Sequence, residues 1–170
     1  MSAPVESPFS LRSFKVADLA ACKRLYTEGL LSGSLAPNDT GYDIDDIAGV
    51  YMKRPENHFW VAQIDGGEVV GMLGVQHHEK GVAQIRRLRV AKGFRRRGIG
   101  STLLETALRF CQARGDVKVT LDTVMDRELA LRIFEKFHFK QQKSKRIGEK
   151  DVLYFYLDLY APLKKPKDAP

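Results

Sequence analysis

The sequence predicts an α/β domain built on one mixed, mostly antiparallel sheet flanked by helices, in the order β-α-α-β-β-β-α-β-α-β-β. Three observations carry this expectation. Residues 59–90 read as successive strand signals separated by tight turns, so three neighbouring antiparallel strands are expected. Residues 85–113 run from a strand through a basic glycine loop into an amphipathic helix. The β-rich stretch 117–123 follows that helix. A strand reached by a helical crossover lies parallel to the one it left.

Each element has its own signal. Residues 9–14 alternate with period two and predict a first strand. Val16, Leu19, Ala20, Cys22, Lys23 and Leu25 fit a first helix that ends near Gly29. Residues 30–41 hold Gly33, Pro37, Asn38, Asp39 and Gly41 and read as a loop. A second helix is expected over 43–52, capped by Asp43, with Ile44, Ile47, Val50 and Tyr51 on one face and Pro55 beyond its end. Residues 59–64 and 69–76 flank the hairpin turn Asp65-Gly66-Gly67, and Gly81 leads into the strand 82–90. Leu103, Leu104, Ala107, Leu108 and Cys111 mark the buried face of the next helix, with Gly115 just past its end. A helix over 128–137 and a final hairpin of 139–143 with 152–159 around Gly148 complete the domain. Boundaries are expected at a flexible N-terminus (1–8), one domain (9–160) and a disordered basic tail (161–170) with three prolines and three lysines.

Composition narrows the class. With 170 residues and 44% hydrophobic content, the chain is one globular domain with a packed core. The 28 Lys+Arg against 21 Asp+Glu give +7, which favours anionic ligands. Cys22 and Cys111 have no metal-ligand spacing and read as buried free thiols of an intracellular protein, and no metal is expected. No apolar run reaches roughly 18 residues, and residues 1–8 lack a signal-peptide pattern, so a cytoplasmic protein without a membrane span is expected.

The chemistry is read from the glycine loop. Arg95, Arg96, Arg97, Gly98, Ile99, Gly100 and Ser101 stand at a strand-to-helix junction. A helix start offers free amides and the positive end of a dipole. Glycine lets an anion reach those amides, and arginine adds bidentate donors. A phosphate site, and more narrowly a diphosphate site, is expected; the alternative is a capped surface helix beside a solvated basic turn. The loop lacks the Lys-Ser/Thr pair of triphosphatase loops and the three-glycine spacing of dinucleotide folds.

Arg95, Gly98 and Gly100 fill the Arg/Gln-x-x-Gly-x-Gly/Ala pattern, and the chain resembles the GCN5-related N-acetyltransferase (GNAT) superfamily over residues 9–159. Two further segments carry the resemblance: Leu121-Asp122-Thr123, and residues 130–139, which are similar to Ala-Ile-x-Leu-Tyr-x-Lys-Leu-Gly-Phe. Residues 57–62, 69–76 and 87–90 with Ala130-Leu131 are most similar to the camello-like N-acetyltransferases. Some of those relatives are membrane-bound and act on amino-acid conjugates or lysines; this sequence shows no apolar spanning segment.

The resemblance implies acetyl-CoA as cosubstrate and direct attack by an amine in a ternary complex. The 95–101 loop would hold the diphosphate, and the pantetheine arm would pair with the edge of Leu88-Arg89-Val90. A backbone N–H of that strand would stabilise the oxyanion. Asp122 stands where some members place an acidic group, either as base or as structural carboxylate. Phe134 occupies the place of the Tyr that often protonates the leaving thiolate. Losing one acid typically costs on the order of 10²–10⁴-fold without abolishing turnover. His138 replaces the usual Gly, and Arg127 stands where Asn is common and can reach a coenzyme phosphate. Tyr154, Tyr156 and His77 are candidates for the acceptor cleft, each with a packing or surface role as the alternative. The fold is also compatible with a homodimer through the final strands.

Three classes of function follow: an N-acetyltransferase, a catalytically weak acetyl-CoA sensor suggested by Phe134, and a nucleic-acid binder suggested by the charge. The last is disfavoured, because only Phe94 interleaves with the basic residues and no nucleic-acid motif is present. The acceptor amine is not legible in the sequence.

Overall fold

The computed structural model describes residues 9–31 and 35–159; the expected N-terminal segment and basic tail lie outside the described residues. Seven strands form one sheet: β1 (Phe9–Ser13), β2 (His58–Ile64), β3 (Val69–Glu79), β4 (Val82–Val90), β5 (Lys118–Thr123), β6 (Lys140–Ile147) and β7 (Lys150–Asp158). Their order is β1-β2-β3-β4-β5-β7-β6, antiparallel throughout except for the parallel pair β4–β5. The hairpins at Asp65-Gly66-Gly67 and Gly148 and the crossover into β5 all stand as the sequence predicts.

Helix α1 (Leu19–Glu28) follows a 3-10 turn over Val16–Asp18. Val16 is largely exposed and lies outside the apolar face expected of it. The single helix expected over 43–52 is two short helices, α2 (Tyr42–Asp45) and α3 (Ile47–Tyr51). Asp46 leaves helical geometry at φ −142° and its side chain accepts from the Gly49 amide, capping α3. Asp43 is therefore not the cap; it is buried, and its carboxylate pairs with arginine. Helix α4 (Ile99–Ala113) ends at Gly115, whose φ of +83° lets the Asp116 amide return to the Cys111 carbonyl. Helix α5 (Arg127–Glu135) is capped by Asp126, which accepts from the Glu128 and Leu129 amides.

The strand alternation divides the apolar side chains into two cores. On one face α1, α2 and α3 cover Phe59, Val61 and Met72. On the other, α4 and α5 cover Trp60, Leu73, Ile85, Leu121 and Phe155. Leu103 and Leu104 are wholly buried there, and each such side chain contributes about 1.5–3 kcal/mol. Both cysteines are buried, which pushes their thiols up to about 12.

Two features of β4 shape the functional end of the sheet. Met72 faces Arg89 while Gly74 faces Arg86, so Leu73 stands opposite two residues in a bulge at Arg87 and Leu88. Pairing between β4 and β5 is limited to Val82–Gln84 with Lys118–Thr120, written residue by residue as Val82 to Lys118, Ala83 to Val119 and Gln84 to Thr120. Beyond Gln84 the strands part. The end of β4 is instead tied to α1, where the Val90 amide donates to the Gly29 carbonyl at 3.1 Å.

Candidate functional site

The parting of β4 and β5 opens a cleft of about 240 Å³. One side is β4 from Ile85 to Arg89, the other is Leu121 to Met125, and Phe134 of α5 contributes to the lining. Leu35, Ala36, Asn38, Asp39, Thr40 and Tyr42 form a further wall.

Strand alternation decides which β4 amides face the cleft. The Ala91 amide donates to Val70 on β3 and the Val90 amide to Gly29, so the two point to opposite edges. Leu88, two residues before Val90, shares its edge. The amide of Leu88 thus faces the open edge, whereas that of Val90 is engaged by Gly29. The Val90 carbonyl accepts from Arg95 Nε at 3.2 Å. Arg89 donates to the Tyr26 and Leu88 carbonyls at 3.1 and 3.0 Å. Burial and the charge of Arg87 hold its guanidinium below the usual arginine range.

The glycine loop stands at the end of the same strand. Gly98, at φ +82°, caps α4, and the first intrahelical amide bond is Thr102 N–H to Gly98 O at 3.0 Å. The amides of Ile99, Gly100 and Ser101 precede it and have no acceptor within the helix. A Cβ on Gly98 would meet nothing within 4 Å, and one on Gly100 only Val90 Cγ2 at 3.8 Å. The space above these amides is therefore open. Arg96 and Arg97 are exposed, Arg97 lying over the Phe94 ring at 5.0 Å. Arg95 differs from its neighbours: its guanidinium clamps the Val90 and Leu30 carbonyls and serves as an internal tie. Ile99 is core, at 1% exposure, so only its amide is available.

The other expected residues divide. Asp122 edges the cleft, exposed, accepting from Gln84 Nε2 at 3.1 Å. Tyr154 stands directly opposite it on β7 and lies under Lys143 at 4.9 Å. Tyr156 faces Thr120, two pairs further from the cleft, under Lys118. Phe155 between them is fully buried, as alternation requires. His77 pairs with Ala83, at the opposite end of β4, and does not join the cleft. Arg127 turns to Gln141 on β6 at 3.2 Å, so in this structure its side chain is engaged there. Phe134 is 3% exposed and packs on Phe139 and Phe155 at 6.0 and 5.3 Å.

Four residues that matter here, Arg86, Arg87, Asp39 and Asp43, were not read from the sequence as belonging to the site. Arg86 lines the cleft, with Nη1 on Gln76 Oε1 at 2.9 Å and on the Tyr42 hydroxyl at 3.4 Å. Burial opposes its charge, but neighbouring Tyr51, Tyr42 and Asp43 more than offset this, and its pKa is raised. Arg87 is buried, with Nε and Nη2 on Asp43 at 2.9 and 2.5 Å and Nη1 and Nη2 on Asp39 at 2.5 and 3.0 Å. Burial works against all three charges, yet the mutual bonds hold both carboxyls below the usual range and Arg87 above its own. Two adjacent arginines inside an apolar strand, with two aspartates four apart across the loop-to-helix junction at 39–43, were the available signal. Among the described residues, no group of His, Cys, Asp and Glu could hold a metal ion, and no helix is long and apolar enough to cross a membrane.

Comparison with known proteins agrees with this geometry. The model of the acetyltransferase (GNAT) family matches residues 22–139. Probable N-acetyltransferase camello of Xenopus tropicalis is 34% identical over 103 residues, 59% of this chain and 47% of that protein. Human N-acetylaspartate synthetase is 33% identical over 99 residues, 58% of this chain and 32% of that protein. The matched region thus spans less than half of either relative. In fold, the chain superposes on Ard1 from Thermoplasma volcanium with a TM-score of 0.74, at 21% identity, over 91% of this chain and 99% of that one. The Escherichia coli ribosomal-protein-S18-alanine N-acetyltransferase gives 0.70 at 14% identity, over 95% and 99%. The chain belongs to the acetyltransferase (GNAT) family.

Proposed function

We propose that the chain transfers an acetyl group from acetyl-CoA to an amine by direct attack in a ternary complex. The observation that carries this is the continuity of β4: the open edge at Leu88 leads directly to the unpartnered amides at the start of α4. The Gly98–Ser101 amides with Arg96 and Arg97 suit a diphosphate. The strand edge suits the amide-bearing pantetheine arm, and the Leu88 N–H would meet the developing oxyanion. The amine nitrogen attacks the thioester carbon, the C–N bond forms and the C–S bond breaks. Asp122 is the candidate base for the proton that the amine must lose. Phe134 has no proton to give, so the leaving thiolate would be protonated by water.

The acceptor we propose is an amine that also carries a carboxylate. Asp39 and Asp43 are occupied by Arg87, and among the described residues no carboxylate forms an ion pair with Arg86. Asp122, likewise, has Gln84 rather than a cation as its partner. Arg86, which has no carboxylate partner among the described residues, and Asp122, which has no cation partner among them, lie in one cleft and fit a zwitterion. The relatives named N-acetylaspartate synthetase make a product that bears carboxylates, which supports this reading.

The test is thiol release from acetyl-CoA against amino acids, amino-acid conjugates, polyamines and peptides at pH 7 and pH 9. Release that depends on a carboxylated amine supports the proposal, and release with polyamines alone overturns the acceptor. Acetyl-CoA binding without release for any amine favours a sensor, the second reading, which rests on the hydroxyl-free ring of Phe134.

A further inference from the structure

Arg87 takes no part in the chemistry proposed above, yet four of its five N–H donors are engaged by two carboxylates. The carboxylates come from the wall that faces β4: Asp39 from the cleft-lining loop and Asp43 from α2. Tyr26 of α1 lies 5.0 Å beneath the guanidinium, and the same ring lies 5.9 Å from that of Arg89. Asp43 is wholly buried and also accepts from the Tyr51 hydroxyl at 2.6 Å. Arg87 and Arg89 face Asp39 and Asp43 within one cluster, and the charge of Arg86 stands beside it.

The backbone at Arg87 is unusual too. Its φ of +61° is in the left-handed region, unfavourable for arginine, and it forms the bulge that precedes Leu88. Such a conformation persists only where its surroundings over-determine it. Here the side chain supplies that hold, because a planar guanidinium can fork two carboxylates at once and a lysine cannot. One residue thereby fixes the bulge, the amide that follows it, and the acceptor wall at residues 39–43 relative to each other.

We infer that Arg87 is a positioning residue for acetyl transfer, setting the distance between the acceptor wall and the Leu88 edge through Asp39 and Asp43. This rests on the acetyltransferase reading. Loosening the fork should impair the encounter with the amine and leave the coenzyme end of the site intact.

The experiment is a double-mutant cycle on the full chain, with Asp39→Asn made alone and in an Arg87→Lys background, the single variant carrying the test by itself where Arg87→Lys does not fold. Steady-state kinetics and acetyl-CoA affinity are measured for each. The expected result for Asp39→Asn alone is a loss on the order of tenfold in kcat/KM for the amine, with a raised amine KM and acetyl-CoA affinity within about twofold. In the Arg87→Lys background the same substitution should cost at most about twofold, because there the fork is already broken. Equal losses in both backgrounds would show that Asp39 acts on substrate directly and would overturn the role of Arg87. Wild-type kinetics in Asp39→Asn would overturn it as well. Absence of turnover by the unmodified chain with every amine would overturn the acetyl-transfer reading, and this role with it.

Discussion

At the scale of single residues, His138 and three aspartates paired with arginine are where stability predictions can be made. His138 stands at φ +70° where α5 ends, with its amide on Glu135 O and that of Phe139 on Phe134 O at 2.8 and 3.2 Å. This is a Schellman arrangement, closed by the Phe134–Phe139 ring contact, and glycine suits its left-handed position. His138 Nε2 is also buried, with no hydrogen-bond partner among the described residues. His138→Gly is expected to raise stability by about 1 kcal/mol, a rise in Tm of about 2–4 °C by thermal melting. Asp18, Asp39 and Asp43 give a second prediction. Their folded pKa values lie below the unfolded 3.8, so their contribution is complete above about pH 4 and is lost as pH falls through the folded values. Asp43→Asn should cost about 3–5 kcal/mol at pH 7, since it leaves a buried arginine half-paired, and should flatten the loss below pH 4. Urea unfolding at pH 7, 4 and 3 measures both effects. Asp122→Asn tests the base: amine-dependent turnover should fall about 10²-fold or more at pH 7, and an unchanged rate-versus-pH profile would return Asp122 to a structural role.

At the scale of elements, the proposed function rests on the start of α4 and the end of β4. Gly100→Trp is expected to fold, since the space above Gly100 is open, and to lose acetyl-CoA affinity by covering the amides. Calorimetric titration decides this, and unchanged affinity would remove the loop from the cosubstrate site. Most of these elements were legible because their signals are local: hairpin glycines, the period of α4, and the strand that follows it. The helix expected over 43–52 was not legible as two, because the break depends on Asp46 accepting from Gly49 and on Asp43 being drawn to an arginine 44 positions away. The glycine loop was read correctly as a helix start, but not that Arg95 turns inward. Arginines in a row look alike in sequence, and only the approach of Leu30 and Val90 separates Arg95 from Arg96.

For the whole molecule, the proposal makes stability depend on the cosubstrate. Acetyl-CoA at about 100 times its Kd should stabilise the fold by about 2.7 kcal/mol, raising Tm by about 5–10 °C for a chain of this size. Scanning calorimetry checks this, and Gly100→Trp should abolish the shift. The sequence by itself determined the architecture. Alternation, helical period and turn residues act over a few positions, and the crossover rule leaves little choice for β5. It also carried the anion site proposed above, because a helix start offers free amides wherever that helix lies. Only the tertiary structure decided which groups meet. The bulge at Arg87, the loss of β4–β5 pairing beyond Gln84 and the capture of Val90 by Gly29 determine which amide faces the cleft. His77 was excluded from the site by its position along β3, and Arg86 was admitted by its position beyond the parting. Such contacts join residues tens of positions apart, and their energies depend on burial and mutual geometry that exist only once the sheet has formed.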